Sequence, residues 1–538
     1  MMWRAVLAAV ILHLVLIQPN HPSAMTLGAL RLFPLELPVL LLGLPLIGDG
    51  RWGRGLRAAL AAVLTLTVVL KLADFGMFTA FGRGFNPVGD LPLAVAGFHL
   101  LSGSVGAVLA ALAYGVIGLA VLALGWALWW AMAVWARVPL FAGRPWARRG
   151  AGAVAMICAT VGTLEAAAIM NRWTLPFDAP GTAFTARVAA ERVRLVLRTA
   201  RDLTAFRKLA AEDPFRGQDG LLDRIDRDVI VVFIESYGRA SVEGPLYAPT
   251  TQPILAEAAR DLAARGFAMR SGYLASSTRG GQSWLAHGTF ANGLRTHDQV
   301  RYQALLASGR EGVFHIAQRS GFETAAVMPA ITMAWPEGRK MGFDRIFAAA
   351  DLGYRGKPFN WVTMPDQYTL AAFDRLVRQQ AGRGGRLFAQ VVLISSHAPW
   401  VPVPRMIDWD AVGDGTVFDA MAMEGDPPNV VWRDRDRVRD QYRQAVGYSL
   451  QAVVGWAART RDRMPLIVVL GDHQAAGFVA QDDRADVPVH VIGPEALVAR
   501  AGEWGFAPGL IPPDTQVALP MEAMRDLFVT TYSSGMGP

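Results

Sequence analysis

The chain has 538 residues, of which 52% are hydrophobic and only 18% charged, with a formal net charge of +7. That balance excludes an ordinary water-soluble enzyme, and the apolar excess lies in the first ~170 residues. A single cysteine, Cys158, excludes a disulfide-stapled scaffold. The basic charge finds a simpler partner in a membrane than in nucleic acid, and no nucleic-acid module or dinucleotide fingerprint occurs.

Five apolar stretches come first, at roughly 3–19, 30–48, 56–75, 105–136 and 151–171. Each approaches the ~20 residues that a helix needs to cross a bilayer, so 1–171 is expected to be a transmembrane domain. His13 interrupts the first stretch, and Gln18-Pro19-Asn20 ends it. No small-residue cleavage pattern follows, which predicts a retained span. Pro34, Glu36 and Pro38 predict a kinked or interfacial entry to the second. Arg4, the group Arg51, Arg54 and Arg57, and the group Arg137, Arg144, Arg148 and Arg149 fall on one side if all five stretches span. The positive-inside rule then puts everything after 171 on the far side. The segment 76–104 reads either as an interfacial segment or as an ordinary connecting loop.

The segment 172–226 reads as a basic juxtamembrane linker, helical from Ala186, with Arg187, Arg192, Arg194, Arg198, Arg201, Arg207 and Lys208. Such a helix either lies on an anionic membrane surface or is a solvated linker.

From 227 to 538 the pattern becomes that of an exported α/β domain. Short apolar runs at Asp228–Ile234, Ala325–Met328, Leu387–Ser395 and Pro465–Leu470 alternate with helical stretches. Runs apolar on both faces predict a mainly parallel central sheet covered on both sides, with ligands beyond the carboxyl ends of its strands. Three such ends carry chemistry: Glu235-Ser236, Ser395-Ser396-His397-Ala398-Pro399-Trp400, and Gly471-Asp472-His473-Gln474. Carboxylate and imidazole ligands suit Zn²⁺ or Mn²⁺, and Mg²⁺ fits an oxygen-rich site. A glycine-rich loop, Ala275 to Gln282, then leads into an apolar-periodic helix with Ser283 at its start. Free N–H groups there favour a phosphoryl group, although Ser is also a common N-cap. Thr278 and Ser277 are neighbouring alternatives. His490, on an expected strand, is within reach of the Asp-His pair, whereas His287, His297 and His315 read as structural or solvated. The stretch Asp408–Asp440 reads as a surface insertion.

With Phe-Ile-Glu-Ser, Gly-Gly-Gln-Ser, Ser-Ser-His-Ala-Pro-Trp and Leu-Gly-Asp-His in that order behind an apolar front, the chain resembles the alkaline-phosphatase (sulfatase-like) superfamily. It is most similar to the branch of lipoteichoic-acid synthases and phosphoglycerol transferases. The resemblance implies a hydroxyl nucleophile, a Glu, an Asp and a His sharing one divalent ion, Mn or Zn with Mg possible. These are Ser283, Glu235, Asp472 and His473, with Ser283 standing where members commonly have Thr. It implies that His397 faces the phosphoryl oxygens or the leaving group, and that Trp335, with Arg339 and His490 nearby, lines a substrate pocket. It further implies phosphatidylglycerol as lipid donor, an exported glycan as acceptor, and a bacterial inner membrane with the catalytic domain on the periplasmic side. Rival readings are a phosphoethanolamine transferase acting on lipid A, a sulfatase or phosphatase, and a catalytically silent membrane protein that binds or signals. The absence of Cys after Cys158 counts against the first rival, whose members usually carry disulfides.

Overall fold

The computed structural model describes residues 2–141, 144–171, 173–177, 180–333, 335–380 and 385–535. The chain divides into two compact units, Met1–Leu203 and Thr204–Pro538.

The first unit is helical: α1 (Met2–Ile17), α2 (Glu36–Ile47), α3 (Arg51–Phe81), α4 (Pro92–Val105), α5 (Ala107–Ala136), α6 (Pro145–Asn171) and the first part of α7 (Phe184–Ala211). Among the described residues, three helices are long and apolar enough to cross a membrane: α3, α5 and the Pro145–Ala168 part of α6. Five spans were expected. The first two stretches form helices of only 16 and 12 residues. Proline explains the second: a 3₁₀ turn at Leu27–Arg31 precedes Pro34, and α2 begins only at Glu36. Within the segment 76–104, read as interfacial or as a connecting loop, α3 continues to Phe81 and 92–105 forms α4. Gly82, at φ 65°, ends α3 in the left-handed conformation that favours glycine. Ala8, Leu12, Leu64, Leu128 and Met132 form this unit's apolar core.

Two buried charged groups inside the unit, Asp74 and Lys71, are partnered. Asp74 accepts from Asn20 Nδ2 at 3.1 Å and the Phe85 amide at 2.8 Å, and also pairs with Arg192. Lys71 Nζ donates to Thr185 Oγ1 at 2.8 Å and to the Leu16 carbonyl at 3.3 Å. An isolated charge among apolar helices is costly, so such pairing is what the medium demands.

The second unit is built on one sheet of β1 (Val229–Ile234), β2 (Ala268–Ala275), β3 (Phe322–Met328), β4 (Arg345–Ala348), β5 (Arg386–Leu393), β6 (Leu466–Gly471), β7 (Asp486–Gly493), β8 (Ala507–Pro508) and β9 (Leu519–Pro520). Its order is β4-β3-β5-β1-β6-β7-β2-β8, with β9 on β2. The sheet is mixed: β4 through β6 are parallel, and β7 turns antiparallel to β6 and β2. Every residue of β1 and β6 is buried, as continuous apolar runs require. Helices Ala248–Ala264 and Arg435–Arg459 bury apolar residues beside it, and the expected insertion at 408–440 is a series of short helical turns leading into the latter.

Register positions the site. Ile234 pairs with Leu393 on one side and Gly471 on the other. The next residues out of these three strands are therefore Glu235, Ile394 and Asp472, side by side at one sheet edge. The edge is tight: a Cβ on Gly471 would lie 1.9 Å from the Tyr237 carbonyl oxygen. Gly471→Ala is expected to cost about 2 kcal/mol or more through this overlap. Denaturant unfolding should register the loss, and unchanged stability would contradict the packing described.

Candidate active site

Glu235, Asp472 and His473 are 5%, 0% and 1% exposed. Each presents one ligand-type atom within 4.8 Å of the others. His473 Nε2 lies 3.1 Å from Glu235 Oε1 and 3.3 Å from Ser283 Oγ, and Ser283 Oγ donates to Glu235 Oε2 at 2.9 Å. Ser283 thus brings a hydroxyl to both Glu235 and His473, and Ser236 Oγ also donates to Glu235 Oε1 at 3.2 Å. Of the alternatives, Ser277 Oγ accepts from Thr289 Oγ1 at 3.0 Å, and Thr278 Oγ1 is buried without a partner.

The backbone is shaped around these groups. Gln282 adopts φ 66° just before Ser283, and Ser236 adopts φ 57° just after Glu235. Left-handed conformations in non-glycine residues are uncommon and persist where surroundings impose them. Asp472 Oδ1 accepts the Ser236 amide at 2.8 Å and the His473 amide at 2.7 Å, holding two strand ends together. Ser276 Oγ donates to the Asp472 carbonyl at 2.5 Å, and the Gly280 amide donates to the Gln474 carbonyl at 2.8 Å. These bonds pin the glycine-rich loop against the end of β6.

The donor set fits a divalent cation. Asp472 Oδ2 is buried and lacks a hydrogen-bond partner. His473 Nδ1 lies 2.9 Å from the Gln474 carbonyl, which can only accept. Nδ1 therefore carries a proton, and Nε2 is the atom turned to the cluster, the arrangement usual for a metal-ligating imidazole. Two carboxylates, an imidazole and a hydroxyl match Zn²⁺ or Mn²⁺ chemistry.

Charge crowding shows in the proton affinities. Asp472 is pushed up to about 8 by burial and then by the neighbouring Glu235. Burial opposes charge on His473, but Asp472 and Glu235 outweigh it and raise the imidazole to about 9. Burial likewise opposes charge on Glu235, yet His473 and, to a lesser degree, His397 hold it well below the carboxylate range. An ion taking these atoms displaces protons, so it binds more tightly as pH rises.

The other expected residues fall as follows. His397 follows β5, and its Nδ1 lies 2.5 Å from the Ala398 carbonyl while its ring stacks on Trp361 at 6.4 Å between centroids. Trp335 packs on Phe343 at 6.1 Å, and Arg339 is exposed on the short helix Glu337–Lys340. His490 lies on β7 as expected, but both ring nitrogens are engaged with residues outside the cluster. Ser271 Oγ donates to the Gly509 carbonyl at 2.7 Å and so accepts from His490 Nδ1 at 2.8 Å. His490 Nε2 then accepts from Tyr237 Oη at 3.0 Å. Burial pushes this imidazole down to about 3. His287 is buried, packed on Phe233 at 4.2 Å between centroids, with Nε2 unpartnered.

Sequence reasoning passed over Asp366. Its Oδ1 accepts the Ile394 and Ser395 amides at 2.7 and 2.9 Å, and Ser449 Oγ donates to Oδ2 at 2.6 Å. It shapes the turn that delivers His397, but it sits at a helix start where an acid reads only as a favourable end charge. Tyr442, whose hydroxyl donates to the Ser236 carbonyl at 2.8 Å, lies on a helix whose aromatic residues read as core.

The chain is similar to solved structures of the alkaline-phosphatase superfamily. The lipoteichoic acid synthase LtaP from Listeria monocytogenes aligns over 54% of this chain and 71% of its own, at 14% identity and a TM-score of 0.36. A protein in the alkaline phosphatase superfamily from Vibrio parahaemolyticus aligns over 55% and 69%, at 15% identity and a TM-score of 0.34. The Streptococcus pyogenes phosphoglycerol transferase GacH, in complex with sn-glycerol-1-phosphate, aligns over 55% and 74%, at 12% identity and a TM-score of 0.34. No protein-family model matches the chain, and no curated protein matches it.

Metal binding and two variants test the site. Mn²⁺ or Zn²⁺ at about 100 times its dissociation constant should stabilise the protein by about 2.7 kcal/mol, seen as a raised Tm. Asp472→Asn should lose that rise, and calorimetry should find tighter binding at pH ~8 than at pH ~6, with proton release. His490→Leu, which strands Tyr237 Oη and removes the donor to Ser271 Oγ, should cost about 2 kcal/mol of stability while leaving metal affinity within about threefold. A large loss of metal affinity in that variant would give His490 a direct part in the site.

Proposed function

We propose that this protein is a membrane-anchored, metal-dependent phosphotransferase that moves a phosphoglycerol group from phosphatidylglycerol to an exported glycan through a phospho-Ser283 intermediate. The observation that carries the reading is Ser283 Oγ, 2.9 Å from Glu235 Oε2 and 3.3 Å from His473 Nε2, on atoms that converge with Asp472. A lone N-cap serine has no reason to meet a buried carboxylate and imidazole.

In this reading Glu235, Asp472, His473 and Ser283 hold one divalent ion. When bound, that ion supplies positive charge that lowers the Ser283 hydroxyl pKa and offsets the charge of the phosphodiester. Ser283, its proton released to water, attacks phosphorus. The Oγ–P bond forms as the P–O bond to diacylglycerol breaks, and His397 protonates the departing alkoxide. The acceptor hydroxyl then attacks from the vacated side and gives its proton to His397, while the Oγ–P bond breaks and Ser283 regains its proton from water. His397 suits both transfers because the Ala398 carbonyl fixes Nδ1 and leaves Nε2 to face a substrate. Trp335 and Arg339 are assigned to the headgroup pocket. Anchoring by apolar helices raises the effective concentration of a lipid donor, and the soluble unit is placed on the periplasmic side of a bacterial inner membrane.

The test is turnover of labelled phosphatidylglycerol by the purified full chain with Mn²⁺ or Zn²⁺. Wild type should release diacylglycerol, and Ser283→Ala should lose at least about a thousandfold in rate. Mass spectrometry should find phosphoglycerol on the Ser283 peptide. Equal activity in the variant overturns the nucleophile assignment, and turnover of phosphatidylethanolamine alone overturns the donor.

A further inference from the structure

Within the helical unit lies a cleft of about 540 Å³, within the size range of ligand pockets. Its walls are almost wholly apolar, with Leu60, Val63 and Leu64 from α3 and Ala159, Gly162 and Ala166 from α6. Both helices are among those long and apolar enough to cross a membrane. Two charged side chains interrupt this lining, Glu36 at the start of α2 and Arg194 on α7.

Glu36 is the informative one. Its Oε1 accepts the Ala186 amide at 2.8 Å, but its Oε2 is buried and has no hydrogen-bond partner. Lys71, which interacts electrostatically with Glu36, donates to the Leu16 carbonyl and to Thr185 Oγ1 and not to Glu36 Oε2. A buried carboxylate oxygen without a donor is costly, so a lining that keeps one is matched to a ligand that brings a donor.

We propose that this cleft binds one glycerophospholipid from the surrounding bilayer. An acyl chain lies against α3 and α6, the phosphate is held towards Arg194, and an N–H or O–H of the headgroup donates to Glu36 Oε2. The charge pattern matches: a guanidinium for the phosphate, a carboxylate for the headgroup donor. Ethanolamine and glycerol headgroups carry such a donor, whereas choline has none. The site does not depend on any chemistry at Ser283.

Native mass spectrometry of the full chain, incubated with defined phospholipids, tests this. One phosphatidylethanolamine or phosphatidylglycerol should be retained about tenfold better than phosphatidylcholine, as a charge-assisted hydrogen bond implies. Glu36→Gln keeps the bond to Ala186 but turns an amide N–H toward the ligand, so the preference should vanish. Ala166→Trp fills the cleft and should abolish retention, whereas Leu119→Trp, on an outward face of α5, should not. Equal retention of phosphatidylcholine by wild type, or retention unchanged in Glu36→Gln, overturns the proposal even if Ala166→Trp fails to fold.

Discussion

Two buried carboxylates, Glu235 and Asp472, are forced close together by the strand register of β1 and β6. Like charges in a low-dielectric setting repel strongly, and desolvation adds to the cost. Much around them answers that constraint. His473 brings positive charge, the Ser236 and His473 amides hold one Asp472 oxygen, and the Ser283 hydroxyl turns to Glu235. What remains is Asp472 Oδ2, for which the protein supplies no donor. A divalent cation is the partner that satisfies every member at once.

The scaffold is built to hold that arrangement without slack. Tyr237, two residues beyond Glu235, is tied through His490 and Ser271 to the Gly509 carbonyl, a chain in which each hydrogen has one direction. Asp366 performs a parallel task beneath the turn bearing His397. Neither device touches the cluster. Each fixes a backbone segment from which a candidate-site side chain projects, as a preorganised site requires.

The parts legible in the sequence were those with a strong local signal. β1, β5 and β6 are apolar on both faces, so their ends, and with them Glu235, the turn bearing His397 and the Asp472-His473 pair, could be read directly. Ser283 stood out because a glycine-rich loop runs into an apolar helix. The antiparallel half of the sheet was less legible: β2 and β7 have one less buried flank or a proline, and their pairing links residues as distant as Ala268 and Gly493. In the helical unit, hydropathy extends further than helix geometry. Residues 30–48 are apolar enough to span, but Pro34 and Pro38 set where a helix can begin, and composition alone does not count the turns lost. Segment 92–105, open between an interfacial segment and a loop in the sequence, forms α4 although its small and polar residues weaken the local signal.

The hydroxyl and its partners are widely spaced along the chain. Ser283 is 48 residues from Glu235 and 190 from His473. Synthesis runs from the amino end, so Glu235 and Ser283 leave the ribosome long before Asp472 and His473 exist. Until β6 is made and slots in beside β1, neither its imidazole nor its second carboxylate is present. The nascent chain therefore passes most of its synthesis unable to assemble this ion-binding constellation, and a truncation anywhere before β6 yields a protein with no complete site to load.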